Sequence, residues 1–404
     1  MSSNSYDVVI LGCGPAGASA ALALKNSKLK ICIVDKSSFP RDKICGDALS
    51  IDVVNQLPSL SKTLTEKFVK LCEKTPSKGV RIIAPSNKHI DIPLYYKGEA
   101  REGYICKRYD FDNLLYEEVL ASGVEFIQDE FLSFKRVYNL SVIEFKKQTL
   151  SCKLVFVADG ANSAFKTFLN INKIDRKHHS AGLRQYFSNL NNFNQGNFIE
   201  LYFLKNILPG YIWIFPLPNN EANVGIGILS KTIESKRLNL KEILKNELSC
   251  NPLFVKRFAN AIPKETPKGY GLPLGNTKRN ISGDGYLLLG DAAGLIDPFS
   301  GEGIGNAIRS GRIAAEFVIK NPSNNYNKEA CLAYDNEIFK RMGAEFEMSR
   351  VLQNLSKKPA LFNWVVKKAN SSSYINQQVI KALADNNAKQ IFKKPKFYLE
   401  LLFK

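Results

Sequence analysis

The hexapeptide Gly12-Cys13-Gly14-Pro15-Ala16-Gly17 spaces its glycines as G-x-G-x-x-G, and each glycine has a mechanical job. Gly12 permits a tight turn, Gly14 lets backbone approach a diphosphate, and Gly17 allows a helix to pack closely on a strand. Asp35 ends the second apolar run, where a carboxylate accepts hydrogen bonds from ribose hydroxyls. This is dinucleotide chemistry, with NAD and FAD both open. A second constellation is Tyr211, Trp213 and Phe215, at i, i+2 and i+4. On a strand the three rings share one face, either as a core stripe or as a wall for an apolar ligand. Cys45, beside Gly46 in a polar loop, suits a cofactor contact, a proton source or a small buried hydrophobe.

The elements that must position these residues alternate. Val8 to Leu11 and Ile31 to Val34 are β-branched runs flanking the helix formers Ala18 to Leu24, which makes one βαβ unit. Val80 to Ile83 and Ile90 to Leu94 read as a hairpin around Ser86-Asn87. Asp110 reads as the N-cap of a helix to Ala121, closed by Gly123. Leu154 to Val157 leads into Asp159-Gly160, and from Leu183 to Ile228 strand follows strand, the pattern of an antiparallel sheet. Tyr286 to Leu289 is another buried strand, a helix follows from about Gly303 to Lys320, and beyond the linker Asn321 to Asn327 the chain reads as helical.

Several segments resemble known flavoenzymes. Val157 to Ser163 (VADGANS) resembles the A-D-G-x-x-S segment of flavin hydroxylase-like proteins, Leu289 to Gly294 their G-D-A-A segment, and Arg108 with Phe111-Asp112 their R-x-x-F-D segment. Lys43 to Ser50 (KICGDALS), Tyr211 to Pro216 (YIWIFP), Asn223 to Gly227 (NVGIG) and Gly290 to Gly311 are similar to segments of geranylgeranyl reductases. The resemblance spans Val8 to about Ala315 and implies FAD as cofactor. It implies an α/β fold, α+β overall: a Rossmann-type FAD-binding domain (1–76, 100–180 and 276–325), an inserted antiparallel-sheet substrate domain (77–99 and 181–275) and a helical C-terminal region (326–404).

The implied cofactor site comprises Gly12, Gly14, Pro15, Ala16, Gly17, Asp35, Lys36, Cys45, Gly46, Ala48, Arg108, Asp159, Gly160, Asp291, Pro298, Gly301, Gly303 and Ile304. In the resemblance Asp291 bonds the ribitol, Arg108 touches the cofactor, and the helix that begins after Gly303 turns its positive end to the flavin. Tyr211, Trp213 and Phe215 become the prenyl wall and Cys45 a candidate catalytic residue. The implied reaction saturates carbon–carbon double bonds of a prenyl lipid, prenyl diphosphate or prenylated quinone, by hydride from reduced flavin and a proton from elsewhere. The flavin's own reductant, whether NADPH, NADH or ferredoxin, is not legible, nor is the oligomeric state. The alternatives are an oxygen-dependent monooxygenase or halogenase, whose usual W-x-W-x-I-P stretch differs here at Tyr211 and Phe215, and a non-catalytic prenyl-lipid binding flavoprotein.

Composition bounds the rest. At 404 residues with 45% hydrophobic and 23% charged, the chain is globular, with two to three structural units expected. Eight scattered cysteines without a C-x-x-C and three histidines argue against a metal site or disulfide scaffold and for a reducing cytoplasm. His178 and His179, in a basic run, are expected at the surface. The N-terminus lacks the basic region of a secretory signal, and no apolar run reaches the ~20 residues of a spanning helix.

The net charge of +18 favours an anionic partner, and without a nucleic-acid-binding signature that partner is lipid or diphosphate. From Leu352 to Leu399 nine lysines face one acid, Asp385, before the apolar end Phe397 to Phe403. This suits peripheral attachment to the anionic inner face of a membrane, or a solvated helical face with an apolar end docked on the core. A membrane-binding tail predicts flotation with anionic liposomes that truncation abolishes; equal flotation of both forms rejects it.

Overall fold

The computed structural model describes residues 5–384, apart from 74, 97–98, 192, 276–278 and 323–324. Two large sheets organise it. In the first, strands Glu125–Gln128, Ile31–Asp35, Ser5–Leu11, Thr149–Val157 and Tyr286–Leu288 lie parallel in that order. The hairpin Phe131–Val137/Leu140–Phe145 adds antiparallel strands beside the first half of Thr149–Val157. Val8, Val9, Ile10, Cys32, Ile33, Val155 and Phe156 are inaccessible to solvent, as expected of parallel strands covered on both faces.

Glycine placement explains the first turn. Gly12 has φ of +97°, and a Cβ there would lie 2.5 Å from the Ala158 carbonyl oxygen. The helix Pro15–Leu24 starts with proline, whose fixed φ and missing N–H cost nothing at that position. It is buried along almost its whole length and crosses the helix Ile304–Lys320 at Gly311. A Cβ on Gly311 would sit 2.3 Å from both the Ala16 carbonyl oxygen and Ser19 Oγ. Ser19 bridges the crossing, donating to Ala16 at 2.9 Å and Ile308 at 3.2 Å.

The second sheet runs Ile262–Pro263, His179–Ser188, Glu221–Leu229, Gly210–Leu217, Ile199–Tyr202, Gly79–Ile83 and His89–Pro93, with Lys268–Pro273 also on His179–Ser188. It is antiparallel except where Ile199–Tyr202 meets Gly79–Ile83 in parallel. That join exists because the early hairpin is brought from a distant part of the chain to the edge of the later meander. Helices Lys328–Ser356, Pro359–Ser371 and Ser373–Ala384 follow. Phe362, Val365, Val366, Ile375 and Val379 pack into one core with Ile82, Ile92 and Leu201. The apolar side of this part of the basic tail is thus docked on the second sheet, while Lys389 to Phe403 lie outside the described residues.

Two expectations need correction. The helix expected to be capped by Asp110 begins at Arg108. Arg108 and Asp112 pair across its first turn, and Phe111 N–H already donates to the Lys107 carbonyl at 3.0 Å. The histidines are half-buried instead of surface residues, because the strand begins at His179 and the helix Ser230–Lys236 packs over it. His178 Nδ1 lies 2.7 Å from Asp175 Oδ2, and His179 Nδ1 lies 2.8 Å from Ser230 Oγ. Burial lowers the pKa of His179.

The helix crossing gives a stability test. Gly311→Ala overpacks backbone against backbone and should cost about 1–3 kcal/mol. Thermal unfolding should show a lower Tm, whereas Gly123→Ala, with open space around it, should show only the smaller strain of its φ of +78°.

Candidate active site

One cavity of about 790 Å³ lies between the two sheets. Its volume falls within the ~300–1,000 Å³ usual for ligand sites. At one end are Gly12, Gly14, Pro15, Ala16, Asp35 and Lys36; Asp159, Gly160, Asp291, Gly301, Gly303 and Ile304 continue the wall. Arg108, Cys45, Gly46 and Ala48 line it too, as do Tyr211, Trp213 and Phe215 from the second sheet. Gly17 and Pro298 do not. Gly17 is structural: a Cβ there would stand 1.8 Å from the Gly12 carbonyl oxygen. Pro298 is buried behind the loop, where its carbonyl accepts from Gln353 Nε2 at 2.6 Å.

The nucleotide end is built from backbone and charge. Asp35 shapes the turn, accepting from Cys13 N–H at 2.8 Å and Ser37 N–H at 2.9 Å. The Pro15–Leu24 helix has no side-chain cap and no acid in its first turn, so its N-terminus is available to an anion. Beside it Arg41 and Arg108 share Asp112: Arg108 bonds it twice, at 2.6 and 2.7 Å, and Arg41 once, at 3.0 Å. Burial opposes the charge of Arg108, but the Asp112 carboxylate more than restores it and raises its pKa. Two cations on one anion leave a net positive wall. Asp291 lies 3.6 Å from Lys43 Nζ across the site.

The aromatic stripe sits on the strand Gly210–Leu217, whose alternation turns Tyr211, Trp213 and Phe215 to the cavity. Glycines opposite make room for them. A Cβ on Gly46 would lie 2.6 Å from the Phe215 ring, and one on Gly225 would lie 2.1 Å from Trp213. Tyr211 OH donates to the Ser300 carbonyl, tying the stripe to the glycine loop. Cys45 Sγ accepts Asp47 N–H at 3.3 Å, and burial pushes its thiol pKa up.

Several residues that local reading passed over belong to the site. Arg184 is fully buried, pairs through Nη2 with Asp42 at 2.9 Å and Glu265 at 3.3 Å, and lies over the Tyr186 ring at 4.2 Å. Glu302 lines the cavity and caps Gly305 N–H at 2.7 Å; burial, then the Asp52 charge, push its carboxyl up to about 7. Asp52 is in turn held by Arg309 at 2.9 Å, and Arg309 by Glu345 at 2.9 Å. The sequence signals were faint: Glu302 stood inside the glycine loop and Asp47 inside the Lys43–Ser50 segment. Tyr186 and Asn223 reach Asp47 from 139 and 176 residues away, a distance no local pattern encodes.

FAD suits this donor set. A Cβ on Gly14 would meet nothing nearer than Arg41 Nη2 at 3.7 Å, so the main chain is open to a diphosphate beside the positive wall. The fold and the cavity define a Rossmann-type FAD-dependent oxidoreductase. Residues 180–258 match the geranylgeranyl reductase catalytic domain. Over 362 residues the chain is 28% identical to a digeranylgeranylglycerophospholipid reductase of Methanococcus vannielii, covering 87% of this chain and 88% of that one. It is 28% identical over 333 residues to a menaquinone reductase of Mycobacterium tuberculosis, covering 78% and 77%. A geranylgeranyl bacteriochlorophyll reductase-like protein of Thermoplasma acidophilum superposes with a TM-score of 0.81 over 99% of both chains, at 24% identity. Together these likenesses support a geranylgeranyl reductase family FAD protein.

A diphosphate at the first turn has a measurable consequence. FAD at 100 times its dissociation constant should stabilise the protein by about 2.7 kcal/mol, visible as a raised Tm. Gly14→Ala, whose Cβ has room in the unliganded fold, projects into the diphosphate approach. It should keep the unliganded Tm and lose the FAD-dependent increase.

Proposed function

We propose that this protein saturates carbon–carbon double bonds of a prenyl chain carried by a lipid, diphosphate or quinone. The observation that carries the reading is the continuity of the cavity. Val80, Ile82, Ile92, Ile199 and Leu201 extend it past the aromatic stripe, so an apolar channel and the dinucleotide turn share one space. A prenyl chain has no polar group to satisfy, and burying it there is driven by apolar area, at roughly 25 cal/mol per Å². The names of the relatives, reductases of prenylated lipids and of menaquinone, support the same chemistry.

Gly14, Ala16, Asp35, Arg41 and Arg108 are the proposed holders of FAD, with Asp291, Gly301 and Gly303 further along the cavity. Bound and reduced, FAD supplies the hydride. The protein's task is orientation and exclusion of water. Tyr211, Trp213 and Phe215 clamp the alkene, and their π-faces favour positive charge developing on carbon. Cys45 keeps its proton because burial disfavours the thiolate, and it is the proposed proton source. Glu302 is the second acid on the cavity wall, half-protonated near neutral pH.

Anaerobic dithionite-reduced holoprotein should convert a geranylgeranyl lipid into products heavier by two hydrogens per saturated bond, read by mass spectrometry. Unchanged substrate overturns the reading, and a product that requires oxygen favours the monooxygenase or halogenase alternative. The two acids separate by pH. Glu302 is protonated below about 7, so if it supplies the proton the rate falls as pH rises through 7 and Glu302→Gln abolishes that limb. If Cys45 supplies it, the limb is absent and Cys45→Ala lowers the rate at every pH, by about 10²–10⁴-fold.

A further inference from the structure

Asp47 is inaccessible to solvent and sits in the left-handed region at φ of +68°, where glycine is the easier residue. Its carboxylate makes the strain worthwhile. Oδ2 accepts from Tyr186 OH and from Asn223 Nδ2 at 2.8 Å, and Oδ1 accepts from Arg108 N–H at 3.3 Å. The contacts continue on both sides. Asn223 Nδ2 also donates to the Cys45 carbonyl at 2.8 Å, while its Oδ1 accepts from Trp213 Nε1 at 2.9 Å. On the other side, Asp47 N–H reaches Cys45 Sγ, and the Asp47 carbonyl accepts from Cys106 N–H at 2.8 Å.

We propose that Asp47 is a positioning residue that registers the two halves of the site. Through Asn223 it fixes the plane of Trp213, and through its main chain it seats Cys45 and Gly46 against Phe215. One carboxylate thereby sets where a prenyl double bond lies relative to the cofactor loop, a role that rests on the proposed prenyl chemistry. The indole has a single donor, so Asn223 Oδ1 determines its orientation only while Asn223 itself is held. Asn223 is held by Asp47 and by the Cys45 carbonyl, both on the same loop.

The titratable and charged groups facing Asp47 are Tyr186 and Arg184 from the strand His179–Ser188, Arg108 from its helix, Cys106 just before that helix, and Cys45 on the same loop. Burial pushes the carboxyl up to about 6, against the bonds from Tyr186 and Asn223 and the charge of Arg184. Below that pH a proton occupies an oxygen that now accepts, and a donor must give way.

Trp213 and Trp364 are the only tryptophans, so a ¹⁵N–¹H spectrum of FAD-loaded protein shows two indole signals, assigned with Trp364→Phe. The Trp213 signal should titrate with a midpoint near pH 6. Asp47→Asn and Asn223→Ala should each flatten it, and Asp47→Asn should lower kcat for prenyl reduction on the order of 100-fold. If Asp47→Asn does not fold, Tyr186→Phe removes one donor and should move the midpoint upward. A Trp213 signal insensitive to pH between about 5 and 8, or an unchanged titration in Asp47→Asn, overturns the proposal. Absence of prenyl reduction beside an intact titration would instead overturn the proposed function.

Discussion

A single negative charge, Asp47, lies buried between the two sheets and must be satisfied there. An unpaired carboxylate so placed would cost several kcal/mol. Its partners come from the strands His179–Ser188 and Glu221–Leu229 of the second sheet and from the helix that starts at Arg108 beside the first. Satisfying one charge therefore brings three distant segments to one loop. That loop, Asp42 to Ser50, is the seam of the cavity. It carries Lys43 toward Asp291, Gly46 against Phe215, and Asp42 into contact with Arg184.

The same economy appears at the nucleotide end, where Asp112 is to the first sheet what Asp47 is to the seam. It holds two guanidiniums and leaves the wall positive where the main chain opens at Gly14. Asp52, between Arg309 and the Glu302 carboxyl, is a third such node, where the helix Ile51–Leu60 meets Ile304–Lys320. Past the aromatic stripe the lining is apolar, from Val80, Ile82, Ile92, Ile199 and Leu201.

Close backbone approach is the second theme. Gly12, Gly17, Gly225 and Gly311 are places where a methyl group would collide with carbonyl or ring atoms at 2.5 Å or less. Two of these let helices and strands meet around the first turn, one joins the two helices that flank the nucleotide end, and one makes room for Trp213. Packing at these points leaves little slack, so the walls of the cavity are set by rigid elements instead of by loops.

Much of this was legible in the chain. The βαβ unit, the glycine turn, Asp35 and the aromatic alternation are local patterns, because a turn or a strand face is determined by residues within a few positions of each other. Gly17 has the close-packing role its place in the motif gives it, and Pro298 packs behind the loop, since a motif does not say which of its members lines a cavity and which packs behind. The helix start at Arg108 eluded local reading because a salt bridge to Asp112 outweighed the capping preference of Asp110. Tertiary structure alone decided the partners of Asp47, the stacking of Arg184 on Tyr186, the parallel join of the early hairpin, and the docking of the tail helices on the cavity's sheet. The sequence determined which residues were able to do chemistry. Burial and long-range hydrogen bonding decided which of them meet, because the cost of an unsatisfied polar group is felt only once the chain has closed around it.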